Sequence, residues 1–381
     1  MSIGTYPTTQ SILKISDVCN LNCPYCYYFT PVIPDHTRQR CIHDKTLEQF
    51  FQRVKSHCSR YHLAKFGILL HGGEPLIAGH QFIDRMFSRA NEILGDSVQI
   101  EWTVQTNGVL LDSAFVKLFL AHDVGVGVSL DGTPESHDKT RVFHNGRGSS
   151  AITWRRLKDA IALGLKPGVL CVINPSEDGA TIYHTFRELG ITAMDFLPMD
   201  YSYDTLPEDI ARDLDAYNEA TFKYMREVFD AWIAEDNPHV HVRYFEELIT
   251  SLLGGDVQKC TMRAQCPSFM TIEVDGSFNG CDVLRQCGAS NYKTGLNVYR
   301  DEIAALRANP FHQLVTSLDG LGPECRACEF LPSCGGHCPT SRYSSANGVL
   351  NVSVHCGFFK RIIPYVQAYV SAASAREPVL K

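Results

Sequence analysis

Three cysteines within eight residues constrain this chain more than any other stretch. Cys19-Asn-Leu-Asn-Cys23-Pro-Tyr-Cys26 has the spacing C-x3-C-x2-C and follows the apolar run Ile12-Leu13-Lys14-Ile15. Thiolates are the preferred ligands of iron–sulfur clusters, and a cubane has four irons to ligate. Three protein ligands leave one iron open to bind a small molecule and pass it an electron. Zinc is the other reading of clustered thiols. Structural zinc closes with four ligands, usually in C-x2-C pairs, and no fourth Cys or His stands nearby.

Composition narrows the setting. The 381 residues are 44% apolar and 20% charged, enough for two or three domains of ~100–200 residues each. A net charge of −7 gives no basic footprint, so nucleic acid is not an expected partner. No apolar run reaches the ~20 residues of a membrane span, so no membrane partner is expected either. The start, MSIGTYPTTQ, lacks the basic and apolar regions of a secretion signal. Fifteen cysteines in a cytoplasmic chain are therefore read as metal or catalytic ligands, because the cytosol keeps thiols reduced.

From Ser11 to about Met199, short apolar runs alternate with helical patterns. The strand candidates are 11–15, 66–71, 99–106, 124–129, 168–173 and 193–198; the helical stretches between them are 46–61, 79–94, 112–122, 151–163 and 181–189. That alternation predicts parallel βα units. Six of them suit a partial barrel, whereas a full one has eight, with its chemistry at the C-terminal strand ends. The sequence motifs fall at those ends. The three cysteines follow the first strand, His71-Gly-Gly-Glu-Pro75 the second, Gln105-Thr-Asn-Gly108 the third and Ser129-Leu-Asp-Gly-Thr133 the fourth. Glycines let backbone approach a ligand closely, and a glutamate beside them accepts from an ammonium group. Asn145-Gly-Arg-Gly-Ser-Ser150 lacks the Gly-Lys-Ser/Thr ending of a phosphate loop and reads as a turn. A polar stretch at Asp200–Asp209 leads into a helix expected over about Ile210–Ala234.

These motifs, in this order, resemble the radical S-adenosylmethionine (SAM) enzymes, whose open iron chelates the amino and carboxylate groups of SAM. The resemblance implies that Cys19, Cys23 and Cys26 hold that cluster, with Tyr25 the aromatic before the last cysteine. It implies that Gly72, Gly73 and Glu74 receive the SAM amino group. Ser129 would contact the ribose or carboxylate and Arg141 the carboxylate, with a surface charge as the plain alternative for Arg141. Leu197 would pack on the adenine, or serve only as a core leucine.

Beyond residue 260 the cysteines crowd again. Cys260 and Cys266 precede a predicted hairpin, Met270–Val274 and Ser277–Cys281, turned by Asp275-Gly276. Cys325, Cys328, Cys334 and Cys338 follow, then Cys356. A zinc ribbon would use only four of these eight. The order resembles the SPASM extension of peptide-modifying radical SAM enzymes, which holds two auxiliary 4Fe–4S clusters. By analogy with the anaerobic sulfatase-maturing enzymes, Cys260, Cys266, Cys281 and Cys338 would hold the nearer cluster. Cys325, Cys328, Cys334 and Cys356 would hold the outer one. Metal rather than a large core would staple such a domain. Asp282 matches an aspartate proposed in those relatives as the base that deprotonates the substrate radical; a surface aspartate at a hairpin end is the alternative. Asn279 and Tyr244 are further cavity-lining candidates. Cys41, Cys58 and Cys171 have no ligand-like spacing and read as ordinary thiols, and Cys287 is left over as a thiol or substitute ligand.

The expected fold is therefore α/β: a partial (β/α)6 TIM-like barrel over 1–205, a helical bridge over 206–255, and a small cysteine-rich SPASM domain with a β-hairpin and helices over 256–381, ending in a helix. The resemblance implies three 4Fe–4S clusters, SAM, a two-electron oxidation of a peptide side chain, and a flavodoxin- or ferredoxin-type electron donor. Leu70–Leu76, Val104–Leu111 and Gly125–Gly132 resemble the Fxs-type maturases of ribosomally made peptides, some of whose relatives form cyclophane crosslinks. The favoured substrate is thus a ribosomal precursor peptide. A sulfatase-like protein oxidised to formylglycine is the alternative, and thioether formation or epimerisation a third. A cluster-bearing redox or sensor protein without catalysis is the reading from another class, and the glycine-rich SAM-type motifs argue against it.

Overall fold

The computed structural model describes residues 7–29, 32–34, 38–267 and 269–375. Along the chain run β1 (Gln10–Ser16), α1 (Asp44–Tyr61), β2 (Lys65–Gly72), α2 (His80–Leu94), β3 (Gln99–Thr106), α3 (Ser113–Ala121), β4 (Gly125–Ser129), α4 (Pro134–Thr140), α5 (Ser150–Ala162), β5 (Gly168–Val172), α6 (Gly179–Glu188) and β6 (Ala193–Leu197). They are the six expected βα units. Then come α7 (Glu208–Arg212), α8 (Leu214–Glu235), β7 (His241–Val242), α9 (Arg243–Leu252), β8 (Met270–Ile272), β9 (Ser277–Asn279) and β10 (Leu296–Asn297). A last helix spans Cys356–Ser374. No described helix is long and apolar enough to cross a membrane.

The chain divides into two compact units. The first comprises Met1–Leu130, Pro134–Val169 and Pro267–Gln313. Its strands lie in the order β10-β9-β8-β1-β2-β3-β4, and β1 to β4 are parallel. β1 is buried along almost its whole length, as a strand covered on both faces must be. That includes Lys14, which exposes nothing. The amphipathic helices α1 and α2 close over the sheet with Phe50, Phe51 and Phe87, and Phe51 and Phe87 pack on Trp102 of β3. The hairpin forms where expected, but it is shorter. β8 and β9 pair antiparallel through Ile272 and Phe278, and Gly276 supplies the turn's positive φ of 83°. β8 also runs parallel to β1, with Leu13 opposite Ile272. The hairpin is thus part of the same sheet as the cysteine loop.

The second unit comprises Asp131–Thr133, Leu170–Cys266 and Leu314–Lys381. In it β6 and β7 pair in parallel. Phe196 of β6 packs on Phe186 of α6 and Tyr224 of α8, and Phe229 meets Phe245 of α9 and Tyr365 of the last helix. The single helix expected over 210–234 is broken at Asp213. That residue leaves helical geometry (φ −143°, ψ 71°), and its carboxylate accepts from Ala216 N at 3.0 Å. An aspartate gains more as a cap than inside a helix.

Candidate active site

The cysteine loop leaves β1 at Ser16. Cys19, Cys23 and Cys26 form no disulfide and are half-buried. Cys26 N donates to Cys23 O (3.1 Å), and Cys19 Sγ accepts from Leu21 N (3.4 Å) and Asn107 Nδ2 (3.7 Å). Burial, then the charge of Glu74, pushes the Cys19 thiol up to about 12, and Cys23 and Cys26 add to it. Three thiols lie in one another's field, and a bound metal deprotonates such thiols outright.

The second loop is fastened to the first with no space for side chains. Gly73 N donates to Ser16 O and Glu74 N to Val18 O, both at 2.9 Å. A Cβ on Gly72 (φ 145°) would stand 2.1 Å from Ser16 O, and one on Gly73 2.3 Å from Val18 O. The Glu74 carboxylate is buried. Oε1 accepts from Leu76 N (3.0 Å) and Thr106 Oγ1 (2.6 Å), and Oε2 from Asn107 N (2.7 Å). That uses three of its roughly four acceptor sites. Burial pushes its pKa up to about 7 against those hydrogen bonds, so it is poised to be ionised by a cation placed beside it. The guanidinium of Arg141 lies 5.6 Å from the Tyr25 ring centroid, and Ser129 Oγ accepts from Gln105 Nε2 at 2.9 Å. Arg141 is buried, which argues against the surface-charge alternative. Leu197 ends β6 half-buried in the second unit.

Asp282 is not a surface aspartate. It is 3% exposed. Its Oδ2 accepts from the ammonium of Lys14 and from Tyr27 Oη at 2.6 Å. Lys14 Nζ also donates to His71 Nδ1 (3.0 Å) and lies 4.6 Å from the Tyr28 ring centroid. His71 Nδ1 accepts from Gly72 N as well, at 2.8 Å, which leaves the ring proton to Nε2. Burial, then Lys14, pulls the His71 pKa down to about 4, so the ring is neutral. Burial by itself would raise the Asp282 pKa; the charge of Lys14 and the Lys14 and Tyr27 hydrogen bonds outweigh it and hold the carboxyl well below its usual range. Sequence reasoning did not assign Lys14 or Tyr27 to the site. The available signal was a lysine inside an otherwise apolar strand, which in a buried sheet needs an anion.

In the second unit the thiols fall into two groups. Cys266 is raised first by burial and then by Cys338 and Cys260. Cys334 is pushed up to about 12 by burial, with Cys356, Cys325 and Cys328 contributing. Cys281, expected with Cys260, Cys266 and Cys338, belongs to the first unit, its Sγ 3.8 Å from Asp282 Oδ1. Among the described residues no three Cys, His, Asp or Glu close around a single metal ion; a cubane spreads its thiolates over four separate irons. An all-thiol donor set in groups of three and four fits such clusters. Cys58, Cys171 and Cys287 are buried, and Cys41 is half-buried with Ala78 O as its partner. Tyr244 is buried against Phe245 and Phe358, and Asn279 Oδ1 accepts from Thr294 N.

Residues 13–189 match the radical SAM superfamily. They form a radical SAM domain. The chain is 26% identical over 94% of its length to a cysteine-type anaerobic sulfatase-maturating enzyme of Clostridium perfringens, of which 96% is covered. Its fold superposes on anSMEcpe with bound AdoMet at TM-score 0.84 and 22% identity, covering 98% of this chain and 97% of that one. Streptococcus suis SuiB bound to its precursor peptide SuiA gives TM-score 0.56 at 17% identity, over 92% and 76% of the two chains.

Proposed function

We propose that this enzyme carries out a two-electron oxidation of a side chain in a ribosomally made peptide, closing an intramolecular crosslink. Cys19, Cys23 and Cys26 would hold the SAM-binding cluster. Gly72, Gly73 and Glu74, with Tyr25, Ser129, Arg141 and Leu197, would receive SAM. Cys260, Cys266, Cys281 and Cys338 would hold one auxiliary cluster, and Cys325, Cys328, Cys334 and Cys356 the other. When bound, SAM and its cluster would supply hydrogen-atom abstraction from the substrate, and an auxiliary cluster would supply a one-electron acceptor.

What remains is one proton, and Asp282 would take it. The observation that carries this reading is the buried, ionised Asp282 next to Cys281, with Tyr27, next to Cys26, donating to it. Lys14 keeps the carboxylate ionised at every working pH, at the cost of basicity. A weak base suffices, because a carbon centre or ring that has lost an electron is strongly acidic. Neutral His71 fixes Lys14 from the other side.

The names of the curated relatives favour a second product, formylglycine from a Cys or Ser of a sulfatase-like protein. Either substrate calls for a small electron donor of the flavodoxin or ferredoxin type in a reducing cytoplasm. The test is anaerobic reconstitution with SAM and reductant, followed by tandem mass spectrometry of small peptides encoded beside the gene and of sulfatase-type peptides. A loss of two hydrogens with no backbone fragments across a short segment supports the crosslink. An aldehyde at Cys or Ser moves the assignment to formylglycine. No 5′-deoxyadenosine from fully loaded protein refutes both.

A further inference from the structure

Buried cations need anions, since an unpaired charge in a low-dielectric interior is costly. Lys14 has Asp282, and Lys259 has Asp195. Arg342 has neither. It is 2% exposed, and among the described residues no carboxylate pairs with it. Its Nη1 donates to the carbonyls of Gly320 and Val349, the latter at 2.8 Å, while its Nε is buried with no hydrogen-bond partner. The groups whose charge it feels are thiols. Cys325, Cys338, Cys266 and Cys334 act on its charge, two from each thiol group of the second unit. Arg342 Nε and Cys325 Sγ both lie 4.0 Å from the point where a Cβ on Gly336 would stand.

We propose that Arg342 is a redox-tuning residue shared by the two auxiliary clusters, its fixed positive charge and free Nε–H raising the reduction potential of both. This rests on the reading that the two thiol groups hold clusters. A cubane ligated by thiolates is net negative and gains one more negative charge when it accepts an electron. Reduction potentials respond to net charge and to hydrogen bonds at sulfur. A guanidinium that never deprotonates, enclosed where water cannot screen it, favours the reduced state. Such tuning suits clusters that must accept one electron from a substrate. The Nη1 bonds to Gly320 and Val349 orient the head group.

The test is dithionite potentiometry followed by electron paramagnetic resonance. The protein is the full chain with Cys19, Cys23 and Cys26 changed to Ala, so that every signal arises from the auxiliary clusters. Arg342→Gln, with full auxiliary iron, is expected to lower the reduction equilibrium of both clusters at least about tenfold, a shift of ~59 mV to more negative potential. Arg342→Lys keeps the charge and is expected to shift far less. If Gln prevents cluster loading while Lys permits it, the charge requirement stands. Unmoved potentials in Arg342→Gln, an equal shift in both variants, or equal loss of iron in both would overturn the proposal and leave Arg342 a structural brace. Absence of any cluster signal in the parent protein, by contrast, would refute the cluster reading itself.

Discussion

Lys14→Met removes the cation from a pair that has no access to water. The lysine side chain is fully buried and the Asp282 side chain 4% exposed. Methionine preserves much of the aliphatic stem, so the main loss is electrostatic. Stripping one partner from a buried ion pair costs about 3–5 kcal/mol, because the survivor stays buried and unpaired. For cooperative unfolding of 381 residues, an unfolding entropy of about 2.1 cal/mol/K per residue gives about 0.8 kcal/mol per kelvin. The midpoint should therefore fall by about 4–6 °C. Asp282→Asn strands the ammonium instead and should cost a similar amount. The double variant replaces the pair with neutral groups, and most of the loss should be recovered, since neutral replacement of buried pairs is often tolerated. Scanning calorimetry of anaerobically reconstituted proteins at one scan rate measures this. A fall under about 1 °C in either single variant, or a double variant as unstable as the two losses combined, would refute the ion-pair reasoning.

Three other outcomes follow from the site. Glu74, at about 7, stands above its ordinary value. Without ligand it therefore contributes stability that is present below about pH 4.5 and is lost as pH rises through 7. SAM affinity should run the opposite way, rising about fivefold from pH 6 to 7 and about twofold more by pH 8 as the carboxylate ionises; titration calorimetry on Glu74→Gln should show weaker, pH-independent binding. Gly73→Ala forces a methyl against Val18 O and should displace the cysteine loop, costing about 1–3 kcal/mol and lowering iron at the SAM-binding cluster, measured by iron analysis. Asp282→Asn should leave 5′-deoxyadenosine release largely intact and suppress oxidised product; normal product yield in mass spectrometry would remove Asp282 from the mechanism.

The α/β alternation was legible because each strand is a short apolar run bounded by turn residues, and β1 to β6 formed within a residue or two of expectation. Two things were out of reach. β8 is three residues long, and nothing local says that it pairs with β1. Lys14 meets an aspartate 268 positions away, and a single sequence carries no trace of so distant a partner. The break at Asp213 was missed for a different reason: an aspartate flanked by helix formers gives equal signals for continuation and for a cap.

The seating of β8 against β1 has a consequence for synthesis on the ribosome. The edge of β1 stays unpaired, and the Lys14 charge uncompensated, until the chain has emerged past Asp282. An open strand edge invites pairing with other chains. The cofactor-binding half is thus not finished by its own contiguous stretch of sequence. A fragment ending before residue 267 should be sticky and poorly folded, so transplanting this barrel between enzymes would require carrying the hairpin with it.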